Sequence, residues 1–334
     1  MTARAAGSAI LTVWFATATA ADLTLGVPPA PAGLGEAVST AFVAPFKAAT
    51  GLDATIQEVA AGTDLTLLGG SALLAGCKDG SLRKLDWAAI GGRDRLLPGV
   101  ATDCGVGAVV ETTVLAWDRE KVQGAPGWAE FWDVAKVPGK RGLRRGVRAN
   151  LEIALMADGV AATDIYATLA TDQGVERAFR KLDQLKPYIV WWDAEGDPLR
   201  LLASGEVLIT SAPATSVLPP RGVATHLIAV QWAGGLQRVR SWAVPAAAAD
   251  TPNVPNAATR FLLFATDPKV AAKLVETGPW GPTSVGALAG LSAEKLWPVP
   301  TAPANLAAGL MVNEQFWQDN EAKLSKRFDT WMAK

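Results

Sequence analysis

The sequence has little of what most catalytic and metal centres are built from. Its 334 residues include one histidine, His226, and two cysteines, Cys77 and Cys104. A zinc site needs several His or Cys ligands, and a Ser-His-Asp or Cys-His centre needs a histidine base. His226 lies in an apolar, strand-like stretch, and the chain has no GxSxG, GxxxxGK(S/T), HExxH or EF-hand pattern. We therefore predict no enzyme activity, no cofactor and no metal; an exported hydrolase that uses His226 is the remaining alternative.

An excess of one charge and long apolar runs are also missing. The chain has 31 basic and 32 acidic residues, so it has no excess of positive charge for binding nucleic acid or anionic lipid. Beyond the N-terminus, Asp, Arg, Gly or Pro interrupts every apolar stretch well before the roughly 20 residues that a membrane helix requires. Half of the residues are hydrophobic, which is enough for a large core and suggests two lobes.

The first 21 residues have the pattern of an export signal. Arg4 precedes an apolar run over 9–16, and small residues at 18–21 lead to Asp22. The run is too short to span a bilayer, and no cysteine is available for lipid attachment. An Ala-rich N-terminus without a targeting role is the alternative. We predict a cleavable signal peptide over 1–21 and a periplasmic mature protein.

The two cysteines fit an oxidising compartment. Each lies beside a glycine, Gly76 or Gly105, and they form an even pair. In an exported protein such a pair favours a disulfide, which would contribute about 3 kcal/mol to stability. Two buried, unpaired thiols are the alternative.

Helical and strand patterns alternate along the chain, which is typical of an α/β fold. Residues 109–117 have a strand pattern, and a polar amphipathic helix is predicted over 313–332. The strand pattern at 65–68 runs into the turn at 69–71, where a helix begins. Such turns commonly present backbone N–H groups to a ligand.

Nine short segments match one family when they are taken together and in order. They lie at 42–51, 104–107, 128–133, 138–142, 151–159, 189–193, 202–207, 281–283 and 300–305. Together they resemble the spermidine/putrescine-type solute-binding proteins of bacterial ABC importers. The match covers most of the mature chain.

The resemblance implies a periplasmic-binding-protein type II fold, with two α/β lobes joined by crossing strands and a ligand cleft between them. Lobe 1 would comprise 22–116 plus 246–290, lobe 2 would comprise 119–240, and a helical segment at 291–334 would pack on the lobes. The resemblance also implies that Cys77 pairs with Cys104. A monomer that delivers its ligand to an inner-membrane permease is the family expectation.

The cleft positions depart from the polyamine-binding pattern. Polyamine binders hold ammonium groups with carboxylates and aromatic faces. By alignment, Arg240 stands where the amine-binding Asp would be, and Gly146 and Ala149 stand where some members have acids. An aromatic pair at the first cleft turn is replaced by the residues at 69–71. The alignment therefore favours an anionic group on the ligand.

Basic and hydroxyl groups remain at the cleft positions, and arginine suits bidentate capture of a carboxylate or phosphate. The predicted ligand-binding residues are Gly69, Gly70, Ser71, Thr112, Thr113, Arg148, Trp192, Thr215, Arg238, Arg240 and Trp280. A solvated surface is the alternative for Arg148 and its neighbours Arg144 and Arg145. Core packing is the alternative for Trp191 and Trp192, although adjacent strand residues face opposite ways, so that one of the two would reach the cleft.

These patterns predict the periplasmic binding component of an ABC importer, with a small polar solute that bears a carboxylate or similar anion. Two alternatives stay open. The chain is either a polyamine binder proper or a binding fold reused as a sensor or interaction module, which the loss of cleft acids and aromatics would favour.

Overall fold

The computed structural model describes residues 22–218, 228–248 and 256–334. The predicted signal peptide and His226 lie outside these ranges. The strands are β1 (Leu23–Gly26), β2 (Ala54–Gln57), β3 (Leu65–Gly69), β4 (Val106–Asp118), β5 (Arg141–Arg144), β6 (Ile189–Trp192), β7 (Ile209–Pro213), β8 (Ile228–Ala243), β9 (Gly281–Pro282) and β10 (Leu310–Met311).

Helices connect these strands and cover the sheet. In the first half of the chain they are α1 (Leu34–Val38), α2 (Ala44–Thr50), α3 (Gly70–Asp79), α4 (Trp128–Trp132), α5 (Asn150–Ala157) and α6 (Ile165–Leu169). The later helices are α7 (Asp172–Leu185), α8 (Asp197–Ala203), α9 (Ala214–Val217), α10 (Ala257–Ala265), α11 (Pro268–Ala271), α12 (Leu274–Thr277), α13 (Ala293–Leu296), α14 (Pro303–Ala308) and α15 (Glu314–Met332). No helix in the described ranges is both long enough and apolar enough to cross a membrane.

One mixed sheet runs through the molecule in the order β2-β1-β3-β8-β4-β7-β5-β6. The outer strands pair in parallel on both sides, as β2-β1-β3 and as β7-β5-β6. Between them β4 and β8, of 13 and 16 residues, pair antiparallel along most of their length. These two strands are much longer than the others and link the two parallel halves.

A separate hydrophobic core lies on each side of this link. The first lobe packs around a core that includes Phe46, Leu67 and Trp242. The second lobe packs around Phe131 and Leu155, and β4 contributes to both cores. Two α/β lobes joined by crossing strands were predicted and are present. The residue boundaries given above for the lobes remain a prediction.

The C-terminal helix belongs to the packing of the second lobe. Trp317, Leu324 and Phe328 of α15 are buried in the second core. Asn313 caps this helix by accepting a hydrogen bond from the backbone N–H of Phe316, at 2.9 Å. The predicted helix over 313–332 is confirmed, and its buried face holds it against the second lobe.

The first lobe contains the disulfide. Cys77, on α3, is bonded to Cys104, which precedes β4, across a sequence separation of 27 residues. Cys104 is fully buried beside Leu73 and Leu82. The predicted bridge is present and ties the helix after the cleft turn to the strand that crosses between lobes.

Candidate functional site

Two adjacent cavities lie along the crossing strands between the lobes. The first cavity, of about 290 Å³, is formed where the first-lobe turn at 69–72 faces β4, β8 and α15. The second cavity, of about 270 Å³, lies on the second-lobe side at the ends of β5, β6 and β7. Arg148, Arg238 and Glu321 line both cavities. The two cavities are therefore neighbouring parts of one cleft.

The wall of the first cavity is formed by the pairing of β4 with β8. Glu111 on β4 lies directly opposite Arg238 on β8, so their side chains share one face of the sheet. Arg240, two residues further along β8, is on the same face and forms an ion pair with Glu111. Each partner of this pair is 20% exposed. Burial raises the pKa of Glu111, although Arg240 and Arg238 oppose the shift.

A second charged network joins the two lobes across the first cavity. Arg148, in the second lobe, donates to the Ser71 hydroxyl of the first lobe at 2.6 Å and to Glu314 and Glu321 of α15 at 2.9 and 2.8 Å. Ser71 in turn donates to Glu314 at 2.8 Å. Burial disfavours the charge of Arg148, but its hydrogen bonds to these two carboxylates outweigh that effect and raise the pKa of Arg148. A Cβ at Gly70 would lie 2.2 Å from the Cγ of Glu314, so glycine lets α15 approach this turn.

Arg238 differs from Arg148 and Arg240 because no carboxylate in the described part of the chain contacts it. Its Nε is buried without a hydrogen-bond partner, and within the described residues its guanidinium forms no ion pair. The charges that act on it, Glu111 and Glu152, do so at longer range. The guanidinium lines both cavities, and none of its donors is used among the described residues, so it is suited to an anionic ligand.

A further hydrogen bond joins the two lobes. The backbone N–H of Ala32, in the proline-rich loop after β1, donates to the Glu195 carboxylate at 3.2 Å. Glu195 belongs to the second lobe, in the turn between β6 and α8. The loop after β1 therefore takes part in contact between the lobes.

Eight of the eleven predicted ligand-binding residues line the two cavities. They are Gly69, Gly70, Ser71, Thr113, Arg148, Trp192, Arg238 and Arg240. Arg144 and Arg145 line the second cavity as well. Their roles in binding stay predictions.

Three predicted residues do not line either cavity. Thr112 is buried on the opposite face of β4 from Glu111 and Thr113, because side chains alternate along a strand. Thr215 lies on α9, and Trp280 is part of the first core. The spacing of Thr112 and Thr113 could have shown that only one of them reaches the cleft.

Sequence reasoning missed the three acids of the cleft, Glu111, Glu314 and Glu321. Glu111 was detectable, because it shares a strand face with Thr113. Glu314 and Glu321 are seven residues apart and therefore lie on the same side of α15, but nothing local places that side against the cleft. No group of three His, Cys, Asp or Glu in the described part of the chain is arranged to hold a metal ion.

Comparison with known proteins identifies relatives over most of the chain. A family model described as bacterial extracellular solute-binding protein matches residues 43–304. The chain is 42% identical over 263 residues to a gamma-aminobutyric acid-binding protein of Pseudomonas aeruginosa, which covers 78% of this chain and 73% of that one.

Solved structures agree with this match. An ABC transporter substrate-binding protein from Bradyrhizobium japonicum superposes with a TM-score of 0.80 at 26% identity, covering 93% of this chain and 99% of that one. The binding protein AgtB of Agrobacterium tumefaciens R10, solved with agropinic acid, superposes with a TM-score of 0.73 at 26% identity over the same shares. The fold is the type II periplasmic-binding-protein fold, as predicted.

Proposed function

The chain belongs to the bacterial extracellular solute-binding proteins, and from this premise we propose that it captures a small amino-acid-like solute bearing a carboxylate. The solute would bind in the first cavity, between the lobes. The two lobes would then close over it and exclude water, which strengthens the charged contacts. The observation that carries this proposal is the position of Arg238, which has no ion-pair partner among the described residues and faces Glu111 across the β4–β8 pair.

The charges of the first cavity suit a solute with two ends of opposite sign. Arg238 offers unused donors to a carboxylate, and Glu111 offers a carboxylate to an ammonium group. The relative from Pseudomonas aeruginosa is named for gamma-aminobutyric acid, which has one end of each kind. The first cavity therefore supports an amino acid of this type better than a polyamine, which has no anionic end for Arg238.

Export and delivery complete the proposal. The signal pattern at 1–21 would direct the chain to the periplasm, and there the liganded protein, as a monomer, would meet the permease of an ABC importer. Its role is capture and delivery rather than catalysis. The comparisons support this role because the matched family consists of solute-binding proteins.

A thermal-shift screen of the purified mature protein tests the proposal. A solute that binds only the folded state raises the melting temperature. We expect gamma-aminobutyrate and related amino acids to raise it, and putrescine and spermidine to leave it unchanged. Stabilisation by polyamines alone would contradict the proposal and restore the polyamine-binding alternative.

A further inference from the structure

The second cavity lies at the carboxyl ends of three neighbouring parallel strands. Arg144 is the last residue of β5, and Trp192 is the last residue of β6. Ser211 and Pro213 lie in the C-terminal half of β7. In open α/β sheets this edge is the usual place for a ligand, because the loops that follow the strands converge there. The cavity is therefore part of the architecture of the second lobe and not a gap between side chains.

The charge of the second cavity is unbalanced, unlike that of the first. Three carboxylates and three guanidinium groups line the first cavity. Four arginines but one carboxylate, Glu321, line the second. That carboxylate is already hydrogen-bonded to Arg148, and Arg145 pairs with Asp193 outside the cavity at 3.4 Å. Among the described residues, Arg144 and Arg238 are left without a carboxylate partner.

In the same cavity Arg144 lies beside a buried aromatic ring, that of Trp192. Trp192 is 2% exposed, and its indole N–H makes no hydrogen bond within the described residues. The guanidinium of Arg144 lies 5.9 Å from the centre of the Trp192 ring, which positions this arginine beside the indole. The contact with the ring leaves the hydrogen-bond donors of Arg144 available to an anionic oxygen in the cavity.

The start of α5 adds a third contribution of the same sign. Val147, Arg148 and Ala149 line the cavity immediately before this eight-residue helix. The Asn150 side chain donates to the carbonyls of Arg144 and Gly146 at 2.7 and 2.6 Å, which holds the loop in place. The amino-terminal end of a helix favours negative charge.

We propose that the second cavity is a second anion-binding subsite, so that the preferred solute carries two anionic groups, one for each cavity. This inference rests on the proposed function and specifies its solute class: an amino acid whose nitrogen carries a second, carboxylate-bearing arm. The first cavity holds the amino acid, with its carboxylate on Arg238. Arg144, beside Trp192, and the loop at 147–149 hold the carboxylate of the arm.

The test compares solutes that differ only in that second carboxylate. Gamma-aminobutyrate is titrated calorimetrically alongside its N-(2-carboxyethyl) derivative and its N-propyl derivative, which has an arm of the same length without charge. We expect the carboxyethyl compound to bind at least about tenfold more tightly than the propyl compound. Equal affinity of these two compounds would overturn the inference.

Arg144→Gln supplies the matched variant, because Arg144 lines only the second cavity. We expect it to abolish the advantage of the carboxyethyl arm and to leave the affinity for gamma-aminobutyrate unchanged. Arg200→Gln, on the exposed surface of α8, removes the same charge elsewhere and serves as the control. An equal loss for all three solutes in Arg144→Gln would contradict a separate subsite.

Sulfate separates failure of the subsite from failure of the proposed function. At millimolar concentration and constant ionic strength, sulfate is expected to raise the melting temperature of the wild-type protein and not that of Arg144→Gln. If sulfate does so while no amino acid binds, the anion site stands and the proposed function falls. If sulfate stabilises both proteins equally, or neither, the second subsite is wrong whatever the amino acids do.

Discussion

Arginine side chains line both cavities of the cleft, but the cavities differ in whether carboxylates neutralise those arginines. In the first cavity Arg240 and Arg148 are neutralised by Glu111, Glu314 and Glu321. In the second, Arg144 has no such partner among the described residues, and Arg238 is unpartnered where the two cavities meet. Arginine content alone therefore says little about anion binding, and the position of the nearest carboxylate says much more.

The difference follows from which elements form each wall. The first cavity faces α15 and the β4–β8 pair, which bring acids from two distant parts of the sequence. The second is formed mainly by strand ends and a helix start within one lobe, and these contribute donors and hydroxyl groups. The first cavity is thus suited to a solute with two charges of opposite sign, and the second to a single anionic group.

The largest effect is expected at Arg238, because it lines both cavities. Arg238→Ala removes a charge-assisted contact worth about 1.5–3 kcal/mol, which corresponds to roughly a ten- to hundredfold loss of affinity. The loss should extend to solutes with one carboxylate and with two, as measured by calorimetry. Folding stability should change little, since Arg238 forms no ion pair among the described residues and Glu111 keeps its pair with Arg240. An affinity within twofold of wild type would remove Arg238 from the site.

Arg240→Ala is expected to weaken binding less and to lower stability more. It leaves the buried Glu111 carboxylate without its partner, and such unpaired groups are costly. We expect about a tenfold loss of affinity together with a melting temperature lower by several degrees. Arg240→Lys should also weaken binding, because an ammonium group cannot reproduce the planar fork.

A double variant separates the two consequences of losing Arg240. Adding Glu111→Gln to Arg240→Ala removes the stranded charge and should restore the melting temperature without restoring affinity. Equal stability of the single and double variants would show that the unpaired Glu111 carboxylate does not lower stability.

Lowering the pH should weaken binding of an ammonium group in the first cavity more than binding of an anion in the second, because Glu111 lines the first cavity and not the second. Burial raises the pKa of this carboxyl, so the folded protein takes up a proton at a higher pH than the unfolded chain does. Stability from this group is therefore gained, not lost, as the pH falls through its folded-state pKa. Ammonium binding changes in the opposite direction, because protonated Glu111 no longer attracts a cation.

The measurement is a pair of titrations between about pH 8 and about pH 5. The affinity for gamma-aminobutyrate should fall severalfold over this range, whereas the affinity for sulfate should change less. In Glu111→Gln the fall for gamma-aminobutyrate should disappear. A fall of the same size in that variant would assign the pH dependence to another group.

The smallest effect is expected at Glu314, where the variant should improve binding. Glu314→Gln frees one side of Arg148 from its carboxylate and makes the first cavity more positive. Because a partly exposed ion pair is worth about 0.5–1 kcal/mol, affinity for anionic solutes should rise about two- to fivefold. Glu276→Gln, away from the cleft, is the charge-matched control. A weakened affinity would mean that Glu314 itself contacts the solute.

Most of the fold could be predicted because its signals are local. The alternation of helical and strand patterns indicated an α/β protein, and the terminal helix at 313–332 was found from its own periodicity. The pairing of Cys77 with Cys104 followed from compartment and parity, and from family resemblance. Nothing local showed that β4 and β8 would extend as one long pair through both lobes.

For the site, the sequence indicated which types of residue are present but not the role of each one. Arg141, Arg144, Arg148 and Arg240 look alike in the sequence. In the structure Arg141 is fully buried and donates to backbone carbonyls at 137 and 139, so it holds the second lobe together. Arg148 pairs with Glu314, which is 166 residues away in the sequence and lies on α15. Arg240 pairs with Glu111, which is 129 residues away and lies on β4. Patterning and composition depend on neighbours along the chain, so a sequence reveals them, but the state of a charge depends on which groups lie within a few ångströms, and only folding brings those groups together.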